Sequence, residues 1–148
     1  MKTIIAVYAL LIVLVLGCVT QPPVNPTNFV NAKFEEEFNL AQGQTAKFSD
    51  NLEIKLIEIQ DSRCPSKVTC VWQGEGKTIL EIKQDAILVE NITLTLDTNS
   101  SQTFTRKDKI GNQYLISLIS IEPYPIAGQE SSEKIAKLKV DIVAVPFD

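Results

Sequence analysis

The sequence predicts an all-β fold: a single antiparallel β-sandwich, Ig-like in size, of about seven or eight strands, with a closed barrel as the alternative. Three observations predict it. From Lys33 onward apolar residues recur with a period of two rather than 3.6. The alternating runs are short and separated by polar, Gly- or Pro-bearing stretches. No segment in this stretch carries the apolar stripe of an amphipathic helix.

The elements follow in order. Phe34, Glu36, Phe38 and Leu40 share one parity and give a first strand, with Glu36 imperfectly placed. Gln42-Gly43 is a turn, and Ala46 and Phe48 open the return. Leu52, Ile54 and Leu56 alternate with Glu53 and Lys55, after which the apolar parity switches to Ile57 and Ile59, the signature of a β-bulge. Trp72, Thr78, Leu80 and Ile82 share a parity, with Gly74 and Gly76 between them. Ile92, Leu94 and Leu96 alternate with Thr93 and Thr95, and Gln102 to Thr105 is a short strand. Tyr114 to Ile121 is apolar on both parities, which predicts a central strand covered on both sides. Leu138, Val140, Ile142 and Ala144 form the last and clearest alternation, and Glu35-Glu36-Glu37 spreads its charges over two faces of an edge.

The chain has 148 residues, 45% of them hydrophobic and 22% charged, one domain's worth with ordinary globular composition. Its formal net charge is −4, and loss of the segment carrying Lys2 takes it to −5. With no cationic run longer than Arg106-Lys107, nucleic acid is not an expected partner, because phosphate binding needs clustered cations. There is no histidine, and the one methionine is Met1. Histidine is the commonest general base near neutral pH and the commonest metal ligand, so Ser-His-Asp and Cys-His catalysis and zinc hydrolase sites are excluded. A non-enzymatic protein with no cofactor and no metal is the expectation.

The N-terminus predicts export. Lys2 is followed by an unbroken apolar run of 13 residues, Ile4 to Leu16, and then Gly17-Cys18. That run is shorter than the ~20 residues that span a hydrocarbon core. Val15-Leu16-Gly17-Cys18 has the form of a lipobox, in which a small residue precedes a cysteine that is acylated and becomes the first residue. Residues 1–17 are read as signal peptide and Cys18 as the lipidation site; an uncleaved anchor, ordinary cleavage and a buried core segment are the other readings. Residues 18–32 form a linker with Pro22, Pro23 and Pro26, a semi-rigid spacer, and residues 33–148 form the sandwich. The expected location is the extracytoplasmic face of a membrane, held there by the lipid.

Cys64 and Cys70 remain. In an exported chain they are first read as a disulfide pinning the Pro65-Ser66-Lys67 turn, worth about 2–2.5 kcal/mol in the chain-entropy model. A redox pair or metal clip is the alternative, but the spacing is not Cys-x-x-Cys and further ligands are lacking. Trp72 shares the parity of Cys70, which predicts an indole packed beside the disulfide on the core face. Asp61 and Arg63 stand two apart, either an ion pair that orients the loop or a carboxylate and guanidinium offered to a ligand. The plainer reading is the turn serving itself.

The run Asp61-Ser62-Arg63-Cys64-Pro65, then Cys70, Trp72 and Gly74, with Pro123-Tyr124-Pro125 further on, resembles a family of uncharacterised exported, lipoprotein-type β-domains. The resemblance covers most of the domain. It implies a disulfide-bearing β fold and carries no activity.

Tyr124 is a second candidate contact, a ring held between two prolines, although it also suits a turn covering a core edge. Asp97, Asn99, Ser101, Thr103, Thr105 and Asp108 fall at the oxygen-donor positions of an EF-hand count, but position 6 is Gln102 rather than Gly, and a polar hairpin explains them as well. Asn91-Ile92-Thr93 and Asn99-Ser100-Ser101 fit the N-glycosylation triplet, which is common by chance and matters only in a host that glycosylates exported proteins.

Together these features predict a membrane-anchored, extracytoplasmic binding module with an unknown protein or small ligand as partner. An inhibitor of an envelope hydrolase or protease is the first alternative, and a hydrolase working through a carboxylate pair the second.

Overall fold

A computed structural model describes residues 28–96, 101–104, 112–129 and 132–144. The expected leader, Cys18, most of the linker, Asn99 and most of the oxygen-donor run lie outside the described residues. Nine strands are described, in two sheets: β1 (Phe29–Asn31), β2 (Glu37–Ala41), β3 (Thr45–Lys47), β4 (Leu52–Asp61), β5 (Gly76–Gln84), β6 (Ile87–Thr95), β7 (Ser101–Phe104), β8 (Asn112–Glu122) and β9 (Ile135–Ala144). One sheet has the order β1-β3-β4-β5-β6 and the other β2-β9-β8-β7. They do not close on each other, so the architecture is a β-sandwich and not the alternative barrel. Every pairing is antiparallel except β1 with β3, which run parallel.

The core lies between the sheets and is built by the period-two positions. Leu52, Ile54, Leu56, Leu80, Ile82, Ile92 and Leu94 point inward from one sheet, and Phe38, Leu40, Tyr114, Ile116, Leu118, Leu138 and Val140 meet them from the other. At about 1.5–3 kcal/mol for each large aliphatic side chain taken fully out of water, this layer is the main stabilising term.

Three bulges let the strands follow the twist. The ladder skips Ile57 between Leu56 and Glu58, as the parity switch predicts, and Ile57 is exposed while Ile59 packs against the core. A second bulge skips Ile119 in β8. This corrects the expectation of a strand covered on both sides: the extra residue swaps parity so that Leu118 and Ile121 both face inward, while Ile119 is exposed. A third skips Val89 in β6.

Other expectations also change. Phe34 and Glu36 are not in a strand; Glu35 has φ +64° in a turn, and the turn places Phe34 against Phe48, with ring centroids 4.8 Å apart. Of the three glutamates only Glu37 is in a strand, so the charges are not spread along an edge. The linker expectation is shortened from its far end, because Phe29–Asn31 pairs with β3. The strand expected from Ile92 begins at Ile87, after a tight turn in which Asp85 and Ala86 both have positive φ.

Candidate functional site

β4 ends at Asp61 and β5 begins at Gly76, and between them the chain makes a long loop at one end of the sandwich. Its base continues the ladder: Ser62 N–H donates to Glu75 O at 2.9 Å, and Cys64 N–H to Gln73 O at 2.8 Å. Gly74 makes this closure possible. It has φ +67°, and a Cβ there would stand 1.8 Å from the carbonyl oxygen of Ser62, so the two arms approach only because that atom is missing. Further out, Cys64 and Cys70 form the disulfide, with Cα atoms 6.0 Å apart.

A second loop, leaving β8 at Glu122, folds against the first. Ser66 N–H donates to Pro125 O at 2.9 Å, Ala127 N–H donates to Ser66 O, and Ser66 and Ile126 form a parallel bridge. Two segments that are separate candidates in the sequence are thus one structure.

The joint is electrostatic. Arg63 Nε donates to Asp61 Oδ1 at 2.7 Å and a terminal nitrogen to Oδ2 at 2.8 Å, a bidentate pair; the same nitrogen donates to the carbonyl of Ile121 at 2.7 Å. Lys134 adds a contact to Asp61 Oδ2 at 3.0 Å. The side chains of Asp61 and Arg63 are only 5% and 11% exposed. Burial by itself would raise the Asp61 pKa, but the hydrogen bonds from Arg63 and Lys134, with the charge of Arg63, outweigh it and hold the carboxyl at about 2. The hydrogen bond to Asp61 raises Arg63 in turn, against its own desolvation. Of the two readings of this pair, the loop-orienting one describes the geometry: donors and acceptors are used on each other.

Tyr124 completes the joint. The Arg63 guanidinium lies 4.6 Å from its ring centroid, and its hydroxyl donates to Cys64 O at 3.1 Å. The ring is held in place yet remains partly exposed. A cleft of about 220 Å³ opens beside this joint, lined in part by Asp61, Pro65, Tyr124, Gln129, Ser132 and Lys134.

Trp72 is elsewhere. The indole expected on the core face beside the disulfide is 71% exposed, and Val71 beside it is exposed at 110%. The expectation fails because parity has meaning only inside a strand: residues 62–75 are loop, β5 starts at Gly76, and no core lies beneath the loop tip. Gly76 leaves room for Ile121 and Arg63, which a Cβ would meet at 3.0 and 3.5 Å.

Sequence reasoning missed Lys134 and the Ile121 carbonyl. Neither has a local signal, since one is a lysine among many and the other a backbone atom. Asn91 is exposed on edge strand β6. Among the described residues no cluster of three or more Cys, Asp or Glu could hold a metal ion.

No protein-family model matches the chain. No curated protein and no solved structure matches it either. Function has therefore to come from the geometry of this end of the sandwich.

Proposed function

We propose that the protein is a lipid-anchored, extracytoplasmic, non-enzymatic binding module whose contact surface is this braced end of the sandwich. The observation that carries the reading is the joint of Asp61, Arg63 and Tyr124, which fixes two loops against each other and leaves Tyr124, Val71 and Trp72 facing outward. A loop set rigidly before contact loses little conformational entropy on binding, which is how a small surface gains affinity. Aromatic side chains held in that way are the usual anchors of interfaces. The anchor itself rests on the apolar run before Cys18.

The cleft supports a surface contact rather than an enclosed ligand, since small-molecule sites run to roughly 300–1,000 Å³. Carboxylate catalysis has less support. Asp61, the carboxylate at this end with the least exposure, is held ionised by Arg63 and Lys134 and makes a poor proton donor.

The protruding Val71-Trp72 pair favours one second reading, a protein inhibitor that places this loop in a partner's cleft. A photocrosslinking residue at Val71, in the full chain in intact membranes, tests the module. An adduct, to protein or to lipid, is expected there and not from an exposed control such as Asn39. Equal, diffuse labelling from both positions contradicts the assigned surface. Inhibition of an envelope hydrolase, lost in Trp72→Ala, would favour the second reading.

A further inference from the structure

We propose that the disulfide-loop tip, Val68 to Trp72, contacts lipid and lays this end of the domain on the membrane that holds Cys18. The inference rests on the lipid-anchor reading above and names the partner of the same surface.

The tip has the chemistry of a membrane interface. Val68, Val71 and Trp72 are 50%, 110% and 71% exposed. From Val68 to Gly74 there is no charged residue, so no charge in the tip resists transfer into the headgroup region. Tryptophan favours that region because its ring is apolar and its N–H can still find a partner there. Lys67 flanks the tip and is exposed, placed to reach lipid phosphates with its stem along the apolar boundary. The loop cannot hide these side chains by collapsing, since the disulfide, the Ser62–Glu75 ladder and the Ser66–Ile126 bridge hold its shape.

The tether reaches this end. β1 runs parallel to β3 and away from the loop, so Asn28 stands at the end of β1 nearer to it, level with Thr45, which donates to the Asn28 carbonyl at 2.9 Å. Thr45 faces Lys55, and from Lys55 to Asp61 β4 climbs about 20 Å towards the loop. The ten residue steps from Cys18 to Asn28 span up to about 35 Å, which covers that climb and leaves roughly 15 Å for the loop beyond it. The opposite end of the sandwich offers the polar Asp50, Asn51 and Asp85. A second exposed apolar run among the described residues, Ile87 to Val89, opens edge strand β6 at that opposite end, directly after the Asp85-Ala86 turn, and is flanked by the acidic Asp85 and Glu90.

The test uses the only tryptophan in the chain, Trp72. The full-length protein is purified with its lipid and reconstituted into vesicles of phosphatidylcholine and phosphatidylglycerol, and acylation of Cys18 is read by mass. Trp72 emission is expected to be quenched by lipids brominated near the headgroup end of the acyl chain and shielded from aqueous iodide. Val71→Asp, at a fully exposed position, is expected to cut the bromolipid quenching several-fold with the circular dichroism unchanged. Acylated protein with Trp72 open to iodide and untouched by bromolipid overturns the lipid contact and leaves the anchor standing. Shielding without bromolipid quenching overturns it in favour of contact between copies of the chain, and quenching unchanged in Val71→Asp overturns the assignment of the tip. An unmodified Cys18 overturns the anchor and the inference together.

Discussion

The guanidinium of Arg63 lies over the ring of Tyr124, 4.6 Å from its centroid, and Tyr124 donates its hydroxyl to the carbonyl of Cys64, the residue next to that arginine. Arg63 is therefore held on two sides, by the Asp61 carboxylate at the end of β4 and by a ring from the loop after β8. Through this contact the disulfide loop is tied to the sandwich.

Removing Arg63 leaves Asp61 buried with Lys134 as its remaining cation. Arg63→Ala is expected to cost about 3 kcal/mol, because a buried carboxylate that has lost its bidentate partner is worse than no pair. Arg63→Met with Asp61→Leu removes both charges and is expected to cost less than Arg63→Ala alone. Urea unfolding of the variants checks the ordering.

Tyr124→Phe keeps the ring over Arg63 and loses one partly exposed hydrogen bond, an expected loss of about 1 kcal/mol or less. Tyr124→Ala also removes the cation–π contact, worth about 0.5–1 kcal/mol at a site of this exposure. The same unfolding measurement separates the two.

The low pKa of Asp61 gives a stability term with a defined pH window. In the unfolded chain the carboxyl titrates near 3.8, and in the folded protein at about 2. Between those values the unfolded state binds more protons, so stability rises with pH. The contribution is complete above about pH 4, is lost as pH falls towards 2, and amounts to about 2 kcal/mol. In Asp61→Asn this part of the pH dependence is expected to vanish, which unfolding midpoints across the range would show.

Gly43 and Gly74 both have positive φ, but only Gly74 faces an obstruction. Gly43→Ala is expected to cost about 1–2 kcal/mol, the strain of a left-handed residue. Gly74→Ala adds the clash with Ser62 O, so its cost should be clearly larger and its loop should open. Faster proteolysis after Lys67 in Gly74→Ala than in Gly43→Ala is the readout.

The sandwich was legible in the sequence wherever side chains alternate in a regular strand, as in Leu52 to Leu56 and Leu138 to Val140. Even the bulge at Ile57 left its mark as a parity switch. Alternation misled where it was read across a loop, at Trp72, and where a bulge passes for two-sided burial, at Ile119. The start of β6 was hidden because Asp85-Ala86 makes a turn of two positive-φ residues without glycine. At the site, Asp61, Arg63 and Tyr124 could each be singled out by residue type. That they form one joint depends on long-range packing, 58 residues separating Arg63 from the Ile121 carbonyl it binds, and no local pattern encodes that.

Intact mass and tryptic mapping of the protein extracted from the membranes of its own cells test the central claim most directly. The expected result is a chain that begins at an acylated Cys18, with the peptides that start after Arg63 and after Lys67 joined through Cys64 and Cys70 until reduction. A chain recovered from the soluble fraction with an unmodified Cys18 would contradict the account.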